Sequence, residues 1–180
     1  AHAAAYVMMG WRVAWFKVHK PLAYYAAYFG IRASAFSYEI MCRGKERLDI
    51  ALSDLLKTPK DQQTKKDQDT IRDGRIAQEM YARGFTFMPI DIYKAKAREC
   101  QIIDGKIMPP LSSVEGLGDK ACEQVEEAAK HGPFTSLENF RNQAKVSKTN
   151  VDKMVELGIL TGLPETDQLT FDFFMTQGSA

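Results

Sequence analysis

Val114-Glu115-Gly116-Leu117-Gly118-Asp119-Lys120-Ala121-Cys122, read together with the residues that continue it to Leu160, is the stretch that decides the fold. Leu111 and Val114 can form one turn before it, and Ala121, Val125 and Ala128 then fall on one face of a helix at the spacing that helical geometry requires. The two glycines allow a turn too tight for a β-carbon and a close approach to the backbone. The free N–H groups at the start of the next helix would point outward as donors suited to an anion. Lys120 adds a cation.

Apolar, any residue, Gly, apolar, Gly is the hairpin of a helix-hairpin-helix unit, which grips a sugar-phosphate chain without reading bases. Gly116, Leu117, Gly118 and Lys120 are therefore candidate DNA-binding residues. Some thirty residues on, Leu137 to Gln143 reads as a helix, Ala144-Lys145-Val146-Ser147 as a tight connection and Lys148 to Leu157 as a second helix. Ser147 can cap that helix and present its hydroxyl, with Lys148 and Thr149 in the first turn, which makes a degenerate second hairpin. A lone Gly-x-Gly equally suits a structural connection whose glycines are only caps; the repeat favours the first reading. Charge opposes it, because residues 111–160 carry 6 basic and 8 acidic side chains, a sum of −2. Duplex binding would rest on amide donors and a few placed lysines, with Glu123, Glu126 and Glu127 turned away.

Working outward, Ala1 to Lys20 reads as a helix apolar nearly all round except at Arg12, Lys17 and Lys20, the pattern of a buried helix. Pro21 closes it, and Leu22 to Phe29 forms a second apolar helix stopped by Gly30. Few other stretches are this apolar, so this end is expected to pack against protein outside the chain. Ser37 to Lys57 is helical, weakened by Gly44. Lys60 to Asp69 is a solvated loop or exposed turn, and Ile71 to Arg83 is a helix with Gly84 as its cap. Phe85 to Ile92 and Glu99 to Met108 read as a small β element, with Asp104-Gly105 as the strongest hairpin signal in the chain. Short helices come next at Asp119 to His131, Leu137 to Gln143 and Lys148 to Leu157, and Thr161 onward reads as a tail.

Among 180 residues, 45% hydrophobic and 26% charged composition excludes disorder of the whole chain, and a net charge of +1 makes any nucleic-acid function local. Cys42, Cys100 and Cys122 lack CxxC spacing, which points to free thiols and a reducing cytoplasm. The apolar run from Ala3 is broken by Arg12 well short of the ~20 residues that span a bilayer, and no basic residue precedes it as in a signal peptide. The start looks cut from something longer. Two-metal phosphoryl transfer needs clustered carboxylates. Asp67-x-Asp69 lies in the polar stretch and Asp91 stands alone, so the segment is expected to support catalysis without performing it, and the scattered His2, His19 and His131 suggest no metal site. His2, Arg12, Lys17 and Lys20 could face nucleic acid or snorkel along the helix rim. The Trp11, Trp15 and Phe16 cluster suits core more than base stacking.

AHAAAYVMMGWRVAWFKVHKPLAYYAAYF (Ala1 to Phe29), FMPIDIYKAKA, IIDGKIMPPLSSVEGLG, GPFTSLENF and KVSKT, in this order, resemble the C-terminal end of a bacterial replicative DNA polymerase III alpha subunit of the PolC type. The resemblance implies a helical end of the fingers domain over 1–83, a small β connector over 84–110, a tandem helix-hairpin-helix domain over 111–163 and a flexible tail over 164–180. It implies hairpins that hold duplex behind the active site, fingers that contribute to the nucleotide pocket, and catalytic acids in a palm upstream of Ala1. Mg2+ belongs to the whole enzyme, a DNA-directed DNA polymerase. It also implies a sliding-clamp peptide at Gln168-Leu169-Thr170-Phe171-Asp172-Phe173, which departs from the usual five-residue form and fits a looser six-residue one. There Gln168 would set register while Leu169, Phe171 and Phe173 enter an apolar groove; an uncommitted tail is the plainer alternative. The expected architecture is mainly α with a small β element. A stand-alone interaction module without catalysis is the competing class, and a long reading frame upstream of Ala1 would separate the two.

Overall fold

The computed structural model describes residues 1–167. Its architecture is mainly helical with one two-stranded antiparallel sheet. Helix α1 runs over His2–His19 and α2 over Pro21–Ala27. Pro21 sits at the first position of α2, where its missing N–H leaves nothing unsatisfied. The expected stop at Gly30 does not occur: α2 winds on as a π-turn over Tyr28–Arg32, which carries Phe29 inward against Phe36 and Phe87.

The helix expected over Ser37 to Lys57 is divided at Gly44, whose φ of +107° no side-chain-bearing residue adopts comfortably. A π-turn covers Tyr38–Cys42 and α3 covers Lys45–Lys57. Helix α4, Lys65–Ala82, absorbs half of the polar stretch read as a loop. Its early start has a local cause: Thr64 and Asp67 form a capping box that satisfies two orphan N–H groups. Tyr25, Phe29, Met41, Leu48, Leu52, Ala77 and Met80 make the first core between α2, α3 and α4.

A fully buried carboxylate pins the loop after the π-turn to α4. Asp73 accepts hydrogen bonds from Tyr28 Oη at 2.8 Å, from the Ser34 and Ala35 amides at 2.9 Å each and from Arg72 Nε at 3.0 Å. A buried charge with every acceptor site engaged stabilises; the same charge with partners removed does not.

Strands β1 (Gln101–Ile103) and β2 (Lys106–Met108) pair with Ile102 opposite Ile107. The turn is the one foreseen, with φ of 49° at Asp104 and 74° at Gly105, both positive as a two-residue hairpin requires. Phe87 adds a parallel bridge to Ile107. Successive strand residues point to opposite faces, so Ile107 enters the first core and Met108 the second.

The second core joins Leu111, Val125, Phe134, Phe140, Val151, Met154 and Leu160, from α5 (Asp119–Ala129), α6 (Leu137–Ala144) and α7 (Lys148–Glu156) and their flanks. Lys96 and Ala97 fasten it: their carbonyls accept from the Leu111 and Ser112 amides at 2.9 Å each. Glu126 in turn accepts from the Ala97 amide at 2.6 Å and from Lys96 Nζ at 3.1 Å. Beyond Thr161, where a tail was expected, the described residues continue to Asp167. The Pro164 and Glu165 carbonyls accept from the first two amides of α6, at 2.8 and 3.1 Å, which binds this stretch to the helix start.

The expectation of two buried helices divides. Tyr25 of α2 is fully buried inside the chain, whereas α1 buries no residue, with Tyr6 and Trp11 each 74% exposed. Among the described residues, only the end of α1 is anchored. Glu79 accepts from Lys17 Nζ at 2.8 Å and Tyr25 Oη at 2.9 Å, while Arg83 donates to the Lys17 carbonyl at 3.0 Å. The three cysteines are free, and burial pushes the Cys100 thiol up to about 12 and Cys122 up to about 11, so both carry protons at neutral pH. No helix of the described residues is long and apolar enough to cross a membrane.

Asp73→Ala should lower the unfolding free energy by about 3 kcal/mol, because it leaves three donors and a guanidinium without their acceptor; a urea melt within about 0.5 kcal/mol of the parent would contradict this role. The Ala97 amide, helped by Lys96, holds Glu126 below its ordinary 4.5. A depressed carboxylate contributes stability above its unfolded value and loses it as pH falls through the folded one. Glu126→Gln should therefore be less stable than the parent at neutral pH, with the gap closing below about pH 4.5 in urea midpoints taken across pH.

Candidate nucleic-acid interface

The first hairpin is built by a single-turn 3-10 helix, Leu111–Ser113, the link through Leu117, and α5. Gly116 has a φ of +87°, a left-handed conformation that turns the chain back before α5. Leu117 does not face outward as a binding residue would. Its side chain is buried in the second core, and its N–H donates to the Val114 carbonyl at 3.2 Å. Apolar packing at this position sets the depth of the turn and leaves its neighbours exposed.

Gly118 caps α5 with ordinary torsions, φ −66° and ψ 157°, and a β-carbon built on it would meet nothing within 4 Å. Nothing within the described residues requires glycine there. No side chain caps this helix, and its first intrahelical bond runs from the Cys122 amide to the Gly118 carbonyl at 3.0 Å. The Asp119, Lys120 and Ala121 amides consequently have no acceptor among the described residues. Beside them Lys120 is exposed and has no ion-pair partner among the described residues. The helix start is a concentrated donor site with a partial positive charge.

The second hairpin repeats the first at an offset of 29 residues. Lys145 takes the place of Gly116 with φ 53° and ψ 38°, Val146 is buried like Leu117, and Ser147 caps α7 with φ −68° and ψ 156°. Buried positions match as well: Cys122 with Val151, Val125 with Met154 and Ala128 with Leu157. Ser147 differs from Gly118 in accepting from the Asn150 amide at 3.2 Å, which leaves the Lys148 and Thr149 amides without an acceptor among the described residues at an exposed helix start. A lysine in the left-handed region costs about 1 kcal/mol relative to glycine.

Each acidic residue around the first hairpin has an ion-pair partner, Asp119 and Glu123 sharing the one guanidinium of Arg98. Glu115 meets Lys66 at 2.6 Å, Arg98 meets Glu123 at 2.9 Å and Asp119 at 3.4 Å, and Glu127 meets Lys130 at 2.6 Å. Glu126 is held by Lys96 and the Ala97 amide as described. Lys66, Lys96 and Arg98 lie outside the hairpin stretch, and no motif at their positions marks them for this task. Lys145 is legible in principle, since the 29-residue recurrence of the apolar positions sets it opposite Gly116.

The remaining candidates divide. Lys17 is drawn to Glu79, whose hydrogen bond raises its pKa, so its charge is satisfied within the chain. His2, Arg12 and Lys20 are exposed along or just beyond α1. His2 lies edge-on to Tyr6, and His19 lies 4.7 Å from the Trp15 ring. Gln168, Leu169, Phe171 and Phe173 fall outside the described residues. Among the described residues no group of three or more His, Cys, Asp or Glu side chains could hold a metal ion. Asp67 and Asp69 lie on α4, not in a loop, where Asp67 caps the helix and Asp69 pairs with Arg72 at 2.6 Å, so they do not fit a Mg2+ site.

Comparison with known proteins agrees with this geometry. A family model described as a helix-hairpin-helix motif matches residues 84–169. A DNA polymerase III of the PolC type from Streptococcus pyogenes serotype M1 is 42% identical over 177 residues, 97% of this chain and 12% of the relative. One from Thermotoga maritima is 41% identical over 170 residues, 94% of this chain and 12% of the relative. The chain thus spans about an eighth of the length of these relatives, and with its helix-hairpin-helix match and near-complete alignment it belongs, as one segment, to the PolC-type DNA polymerase III family.

Proposed function

We propose that this segment holds the backbone of duplex DNA for a replicative polymerase, and that its last residues tether the enzyme to a sliding clamp. The observation that carries the first part is the open start of α5, where amides without acceptors stand beside a glycine that the fold itself does not need. Phosphate oxygens supply acceptors of the right charge, and a missing β-carbon lets them approach. Gly116 shapes this cradle, Gly118 and Lys120 face it, and Ser147, Lys148 and Thr149 form its counterpart on the second hairpin. Leu117 contributes by packing.

Backbone contacts carry no sequence information, so the grip suits an enzyme that must follow any product duplex. The whole polypeptide would perform DNA-directed DNA synthesis, with catalytic carboxylates and Mg2+ located elsewhere in it. Palm and fingers of the same polypeptide would then cover α1, whose bare Tyr6, Trp11 and Trp15 are costly to leave in water. His2, Arg12 and Lys20 would lie at that junction, close to nucleic acid. The clamp reading rests on Gln168, Leu169, Phe171 and Phe173, an amide followed by apolar anchors in a segment rich in phenylalanine.

Gly118→Val with Lys120→Ala in the full-length polypeptide should weaken duplex binding on the order of tenfold, to the same degree across sequences. Unchanged affinity in a fluorescence titration would reject the grip. Gln168→Ala with Leu169→Ala should abolish retention on immobilised sliding clamp while duplex affinity stays at the parent's level; retained clamp binding would place that contact elsewhere.

A further inference from the structure

We infer that the two hairpins divide the duplex contact by chemistry: the first binds phosphate chiefly through uncharged amides, with Lys120 as its single unpaired cation, and the second supplies the larger share of the ionic attraction through Arg141, Lys145 and Lys148. The inference rests on the duplex-binding reading and goes beyond it in assigning Arg141 and Lys145 to the site.

The turns match in backbone, so the difference lies in what decorates them. Around the first, Lys120 is the one cation of residues 111–128 against Glu115, Asp119, Glu123, Glu126 and Glu127; Lys66, Lys96 and Arg98 from other segments hold four of those acids, and Lys130 at the end of α5 holds Glu127. Ion pairing there chiefly removes repulsion and leaves Lys120 as the one unpaired cation. Around the second, Arg141, Lys145 and Lys148 are all exposed, and none has an ion-pair partner among the described residues. Lys153, the fourth cation of that unit, is engaged by Glu39 at 3.0 Å on the side of the π-turn.

Lys145 also stands in the backbone conformation that glycine occupies in the first copy. The fold gains nothing from a long side chain there, since a left-handed turn suits glycine better. The side chain therefore serves something outside the chain, and its neighbours Lys148 and Arg141 give it the character of a phosphate-binding group. Counterion release assigns the salt dependence of binding to such groups and not to neutral amides.

The test measures binding of the full-length polypeptide to a fluorescein-labelled DNA duplex of mixed sequence across a salt series. Lys145→Gly keeps the left-handed turn, so its unfolding midpoint should not drop. It should reduce the magnitude of the log K against log salt slope by about 0.9. Arg141→Gln with Lys145→Gly and Lys148→Gln should reduce it by about 2 to 3. Gly118→Val should lower affinity at every salt concentration and leave the slope at the parent's value. A parent that binds duplex, with a slope unchanged in Lys145→Gly, overturns the division while sparing the duplex reading. A parent that fails to bind duplex overturns both.

Discussion

Peptide N–H groups that the fold leaves without acceptors are the constraint on which this segment turns. A buried amide must find a partner within the chain, so amides that remain open belong at a surface where a partner can arrive. Three such groups begin α5, and the cap residue beside them has no side chain to fill the role that Ser136 and Ser147 fill for α6 and α7. The rest of this half of the chain can be understood as support for that position. Leu117 anchors the turn from below, Lys96 and Ala97 bind the 3-10 turn that opens the hairpin, and Glu126 closes α5 onto the same two residues.

Electrostatics completes the arrangement. A segment with more acids than bases would repel a polyanion if its charges stood free. Lys66, Lys96 and Arg98 remove that obstacle by pairing with acids on or beside α5 from positions distant in sequence. Exposed ion pairs of this kind contribute little to stability, about 0 to 1 kcal/mol each. Their effect here is on local field, which governs the approach of a charged ligand. The first half of the chain is thereby tied to the hairpins, through Lys66 with Glu115, Lys153 with Glu39, and Tyr38 packed into the second core.

Much of this was legible in the sequence because local chemistry determined it. Asp104-Gly105 specified a hairpin, Gly116 specified a left-handed turn, and Ser147 specified a helix cap, each through a short-range preference. What escaped was set by distance or by competition. The start of α4 at Lys65 depended on a capping pair within residues whose polarity suggested a loop. The π-turn after α2 arose from Tyr28 and Phe29 being drawn toward Asp73 and Phe87, partners more than forty residues away. Leu117 was read as part of the interface from its place in the motif, though an apolar residue between two exposed neighbours packs inward. The pairing of Lys17 with Glu79 could not be read locally, since no periodicity links them.

The most direct test of the central claim is the nitrogen-15 amide spectrum of the chain during titration with duplex DNA. The Asp119, Lys120 and Ala121 amides should shift downfield and exchange more slowly with solvent as duplex is added, with smaller changes at the Cys122 amide that already has its helical acceptor. Unmoved resonances at those three positions, while duplex binding perturbs other parts of the chain, would contradict the account.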